Sequence, residues 1–207
     1  MRRLFGTHCP AKQDSGDMME MRKALSSLGF LALGYWCMFW TLNGLDKFLN
    51  RTDIGLLTWY GNDRDEKFAM YFDRLGMSDS AVNPVLMFAG VWELAAAAVC
   101  LIAMIAFYKG APMAEKMEKA NQAIIISAIT FIGFCIFDVV VGDRAELLEH
   151  STYIGVVIVS YILLALEPVF SELHKDLGVE EDDGQELHMN RYRGEAAPLD
   201  PAAVAAE

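Results

Sequence analysis

Residues 84–108 read PVLMFAGVWELAAAAVCLIAMIAFY, twenty-five positions with one charged residue, Glu93. As an α-helix this stretch is about 37 Å long at ~1.5 Å per residue, enough to cross the ~30 Å hydrocarbon core of a bilayer. Three more apolar blocks accompany it, at 24–45, 121–141 and 151–166. The last is short and reaches spanning length when Leu147 and Leu148 join it. The alternation of a membrane barrel is absent. The expected fold is therefore all-α: an integral membrane four-helix bundle with spans at about 24–45, 84–108, 121–142 and 147–167. The first block exceeds the ~7–15-residue core of a signal peptide, and NGLDK at 43–47 is a poor cleavage site, so the block is read as a retained span.

The formal charge of −11 is concentrated at one end. Residues 167–207 carry eleven acids against Lys175, Arg191 and Arg193. A basic surface for nucleic acid is excluded. Residues 169–207 read as an acidic tail, disordered or held by a partner, and 178–207 as the segment through which other membrane protein subunits would dock. Orientation follows from Lys and Arg in the flanks. Eleven of these lie in the N-terminal segment 1–23, the 109–119 loop and the tail, and six lie on the other side. The bias predicts cytoplasmic termini around a membrane domain at 24–168, in a bacterial cytoplasmic (inner) membrane. Membrane lipids are its expected surroundings. Cys37, Cys100 and Cys135 fall inside spans without paired spacing, so they read as small apolar fillers rather than disulfide or metal ligands.

The first loop, 46–83, is too long for a simple connection. Within it, residues 65–76 predict an interfacial amphipathic helix: Phe68, Phe72 and Leu75 share a face, with Tyr71 beside them and Glu66, Lys67, Asp73 and Arg74 around the rest. Trp59 and Tyr60 precede it as interface anchors.

Ionisable side chains within a bilayer are costly and call for a reason. Around Glu93 the helical neighbours are Ala89, Gly90, Ala96, Ala97 and Cys100, a small-residue face that suits helix packing. Leu94, Leu101 and Ile105 lie opposite and suit lipid. Glu93 is thus expected to point into the bundle. The order of the spans brings further polar residues to the same layer: Asn43, Asp46 and Lys47 at the end of the first span, Asp138 near the end of the third, and Glu149 and His150 at the start of the fourth. Asp143 and Arg144 form the turn between the last two. Two readings stay open. In the preferred one, Lys47 and Arg144 neutralise acids in a structural network. In the other, the layer is a site for a ligand or proton. His150 alone is not a metal site, and no metal is assigned. Trp36, Phe39, Trp40 and Trp92 are aromatic positions suited to lipid or to a quinone ring.

The order of motifs resembles the DoxX-like family of small four-helix membrane proteins. The first span ends Asn-Gly-Leu-Asp-Lys-Phe-Leu (43–49), similar to that family's Gly-x-x-Lys-Phe/Leu ending. A loop with an amphipathic helix and Leu75-Gly76-Met77 follows, then a span carrying Trp92-Glu93-Leu94, like the family's Glu-Leu element. The likeness covers 24–108 and thereafter only the helix count. The long acidic tail and the stretch 51–65 depart from the pattern. The resemblance implies the fold more than a reaction, although some members are implied to serve quinone-linked sulfur oxidation. With no nucleophile–base pair or phosphate loop in the sequence, no catalytic residue is assigned. The first functional expectation is an accessory or structural subunit of a larger membrane assembly. The alternatives are the membrane subunit of a quinone-linked oxidoreductase and a small carrier or proton path using Glu93 and Asp138.

Overall fold

The computed structural model describes residues 27–176. The N-terminal segment 1–23 and the tail 178–207, with the docking role expected of it, lie outside them. Four helices are long and apolar enough to cross a membrane: α1 (Leu28–Leu49), α3 (Val82–Tyr108), α4 (Met113–Val141) and α5 (Arg144–Asp176). Between α1 and α3 come a two-stranded hairpin, β1 (Thr52–Asp53) antiparallel to β2 (Thr58–Trp59), the helix α2 (Asp65–Arg74) and a 3-10 turn at Asp79–Ala81. The chain is a multi-pass membrane protein built as an all-α helical bundle. Contacts divide it at Glu167, and of the second unit only 168–176, the last turns of α5, are described.

The helix ends differ from the hydropathy blocks for local reasons. Ser27 caps α1, its Oγ accepting from the Phe30 N–H at 3.1 Å, so the helix begins at Leu28. Helix α4 starts at Met113 rather than 121, because its first two turns are polar helix formers that project past the apolar span. Gly142, at φ 78°, ends α4 in the left-handed conformation and returns its N–H to the Asp138 carbonyl. One residue later Asp143 Oδ1 accepts from the N–H groups of Ala145 and Glu146, which starts α5 at Arg144 instead of 147. That helix continues through Pro168.

Leu33, Trp36, Trp40, Ala96, Cys100, Ala103, Phe131 and Leu164 form the bundle core. Trp36 donates from Nε1 to Ser160 Oγ at 3.0 Å, and Trp40 to Ser127 Oγ at 2.8 Å, so both buried indoles are satisfied. Trp36 is therefore a core side chain, as buried as Trp40. Trp92 stays partly exposed, with its Nε1 on Thr130 Oγ1 at 2.9 Å. The small-residue face of α3 is buried. Leu94 is not on a free lipid face, since it packs where α1 crosses α3 at Gly44. The three cysteines within the spans are free thiols.

Helix α2 forms where the amphipathic pattern predicts it, but its apolar face rests on protein. Tyr71 and Phe72 are buried with Val82, Leu86 and Val141, and Phe68 stacks on Phe137. Leu75 falls just past the helix end and is exposed.

Helices α1 and α3 cross closely. A Cβ on Gly44 would lie 2.8 Å from Leu94 Cγ and 3.1 Å from the Gly90 carbonyl oxygen; one on Gly90 would lie 2.7 Å from Phe48 Cε2 and 3.2 Å from Lys47 Cβ. Gly155, in α5, has nothing within 4 Å of such a Cβ. Gly44→Ala should therefore force the helices apart and lower stability by about 1–3 kcal/mol, as overpacking does. Gly155→Ala should be neutral, or stabilising by up to about 1 kcal/mol from helix propensity. Thermal unfolding of the two purified variants checks this, and equal effects would contradict the close crossing.

Candidate functional site

The close crossing of α1 on α3 fixes the first part of the site. Lys47 Nζ lies 2.5 Å from Glu93 Oε2 and donates to the Asn43 carbonyl at 3.3 Å. The side chains are 10% and 3% exposed, so this is a buried ion pair. The second part belongs to α4 and α5. His150 Nδ1 lies 2.7 Å from Asp138 Oδ2, and His150 Nε2 lies 3.7 Å from Glu146 Oε2. The His150 ring sits against Phe134, centroids 5.0 Å apart.

Both parts open on one cavity of about 70 Å³. Asn43, Lys47, Glu93, Asp138, Glu146, Glu149 and His150 supply its polar lining, and Phe39, Trp40, Phe131, Phe134 and Tyr153 its aromatic wall. Arg64, Phe68 and Tyr71, in or just before α2, close it on the side of the 50–81 connection. A single water needs roughly 10–15 Å³ on such a measure, so the cavity has room for several waters or one very small solute. Donors and acceptors thus converge on a confined space, where each is worth more than in bulk water.

Helix α2 is fastened over the cavity by polar bonds to the α4–α5 turn. Lys67 bonds Glu146, and its Nζ lies 3.2 Å from Asp143 Oδ2. The Tyr71 hydroxyl donates to Asp143, and Arg74 donates from Nη1 to the Val141 carbonyl at 2.8 Å. Arg64 Nη1 lies 3.6 Å from Glu146 Oε2. The Tyr71 bond, the Glu146 N–H and Lys67 hold the Asp143 carboxyl well below the usual carboxylate range. Burial and the bond to Asp143 push the Tyr71 hydroxyl up to about 12. Burial pulls the Lys67 ammonium down, but its bonds to Glu146, Tyr71 and Asp143 outweigh this and leave it above the ordinary lysine value.

Of the residues singled out in the sequence, Asn43, Lys47, Glu93, Asp138, Glu149 and His150 line the cavity, as do Phe39 and Trp40. Asp46 does not. It faces the loop, accepting from Trp59 Nε1 at 2.7 Å and from the Asn62 N–H at 3.0 Å. Arg144 is also outside: it is exposed at the start of α5 and makes no ion pair among the described residues. Its expected neutralising role falls to Arg64 and Lys67, which reach the site from the opposite direction. These two, with Tyr71 and Glu146, were missed. A signal existed, because Arg64, Lys67, Tyr71 and Arg74 follow a spacing of 3, 4 and 3 and so form one stripe beside the apolar face. Glu146 was missed because the apolar block of the fourth span begins after it. Among the described residues, no group of three or more His, Cys, Asp or Glu is placed to hold a metal ion. Comparison with protein-family models, with curated proteins and with solved structures finds no match to this chain.

The fastening of α2 has a pH signature. A carboxyl whose folded pKa is depressed contributes stability above its unfolded pKa, about 3.9, and loses it as pH falls toward the folded value. Asp143→Asn should thus be less stable than wild type at neutral pH, and the gap should close progressively below about pH 4. Thermal unfolding of both proteins in detergent between neutral and acid pH measures it. A gap unchanged by acidification would show that Asp143 does not fasten α2 as a carboxylate.

Proposed function

We propose that this is a DoxX-like protein of the bacterial cytoplasmic membrane, termini inside, whose chamber, roofed by α2, binds a small polar solute. The observation that carries the reading is that the Lys47–Glu93 and His150–Asp138 pairs face one shared cavity instead of being sealed in packing. Buried charges that serve structure alone gain nothing from an adjacent void. Charges that serve a ligand need one. The family assignment draws support from the same place, since the 43–49 and 92–94 motifs are the segments that contribute Lys47 and Glu93.

The geometry ranks the alternatives. A path across the membrane finds little support, because the other half of the bundle is packed with Leu33, Ala103, Phe107 and Leu164. A quinone is a weaker fit, since small-molecule sites commonly run to ~300–1,000 Å³ and this cavity would have to enlarge. The accessory-subunit reading is second. It is favoured by how fully the network is satisfied: among buried side-chain N and O atoms of the described residues, Asn50 Oδ1 alone lacks a partner. In that reading the pairs serve the bundle alone and the function lies with other subunits.

A thermal-stability screen separates the two. Purified protein would be heated with small amines, carboxylates, amides and alcohols of a few heavy atoms. The proposal expects a solute that raises the unfolding temperature with concentration, with a stabilisation of about 2.7 kcal/mol at a hundred times its Kd. The stabilisation should vanish in Asp138→Asn and persist in Asp53→Asn, which alters an exposed hairpin residue. If no solute stabilises wild type, the accessory reading stands in its place.

A further inference from the structure

The hairpin between α1 and α2 presents an apolar surface that the folded chain leaves uncovered. Its turn is Ile54-Gly55-Leu56-Leu57, without a charged residue, closed by the Ile54 N–H donating to the Leu57 carbonyl at 3.0 Å. Leu56 is fully exposed, Ile54 and Leu57 are about half exposed, and Tyr60 projects beside them. A chain that placed this turn in water would leave three large aliphatic side chains hydrated on a loop tip, where polar residues are the norm.

The base of the hairpin is fixed. Both carboxylate oxygens of Asp46 are engaged, one by the Trp59 indole and the other by the Asn62 N–H, and Asp46 stands one residue before Lys47 on α1. The hairpin is thereby held against the end of α1. Leu42 and Asn43 of α1 together with Leu57, Thr58 and Tyr60 form an open groove of about 500 Å³. Leu42 is also the last member of the exposed stripe Leu28, Leu31, Tyr35, Met38 and Leu42, which runs along α1 at helical spacing. That stripe faces lipid in a membrane-spanning helix. The groove and the hairpin tip continue it past the point where the helix ends.

We infer that the 52–59 hairpin is a lipid-contacting element. Ile54, Leu56 and Leu57 enter the boundary between head groups and acyl chains, and phospholipid fills the groove beside Leu42. Two features select lipid over a protein partner. The surface is continuous with the lipid-facing stripe of α1, and the one charge in the groove, Asp46, already accepts a bond on each oxygen from within the chain. Trp59 and Tyr60 then sit at the depth that amphipathic aromatics favour in membranes. Because Asp46 ties the hairpin to the turn of α1 that carries Lys47, lipid contact sets the depth of Lys47.

The experiment places a photo-reactive benzoyl-phenylalanine at position 56 of the full chain, in nanodiscs of phosphatidylcholine. The same residue at Met38, mid-helix and exposed, serves as the lipid-facing reference, and at Glu66, exposed on α2, as the comparison outside the apolar surface. Since Leu56 touches nothing, the substitution leaves the fold intact, and position 57 provides a second probe. Mass spectrometry after illumination should find lipid adducts at 56 at the level of 38 and several-fold above 66. Adducts at the level of 66, or adducts joining two copies of the chain, would overturn the inference.

Discussion

Moving a carboxylate and an ammonium out of water costs several kcal/mol for each ion, and their mutual attraction offsets this only at close range with the remaining hydrogen-bond positions filled. Lys47 and Glu93 meet that condition at 2.5 Å, with the Asn43 carbonyl taking a further Lys47 proton. The requirement propagates outward. The two side chains reach each other because α1 and α3 cross at Gly44 and Gly90, where no Cβ intervenes. The same helix, α1, carries Trp36 and Trp40 level with Ser160 of α5 and Ser127 of α4. Within hydrocarbon, where apolar residues gain little by leaving lipid, close backbone approach and polar pairing are the forces that specify such an arrangement.

The second pair, His150 with Asp138, is held differently. Its registry depends on the Gly142 turn and the Asp143 cap, which bring α5 back beside the last turns of α4. The same cap residue anchors α2 through Tyr71 and Lys67. One turn of chain therefore ends α4, starts α5 and secures the roof of the cavity. The polar half of the bundle is built around the cavity, and the other half around aromatic and small apolar packing. A one-sided chamber follows from that division.

Much of this was legible in the sequence because a bilayer simplifies the code. Four apolar blocks of spanning length require four helices, and the order of spans places Lys47, Glu93, Asp138 and His150 in one layer before any distance is known. Helix ends were less legible, since hydropathy marks where lipid begins and not where hydrogen bonding stops. Residues 113–120 are helical and polar for that reason. Partners were the least legible. Arg144 is close to the acids in sequence but is exposed and pairs with none of them among the described residues, whereas Lys67, some eighty positions earlier, is folded onto Glu146. Trp36 is a further case, its N–H bonded across the bundle to Ser160, 124 positions away.

The pairing of Lys47 with Glu93 is the point on which the rest turns, and a double-mutant cycle tests it directly. The unfolding free energies of wild type, Lys47→Met, Glu93→Gln and the double variant would be measured in one detergent. The account predicts that Lys47→Met, which strands the carboxylate, costs about 3–5 kcal/mol, and that adding Glu93→Gln recovers much of that loss. Single effects that simply add, or a Lys47→Met protein as stable as wild type, would contradict it.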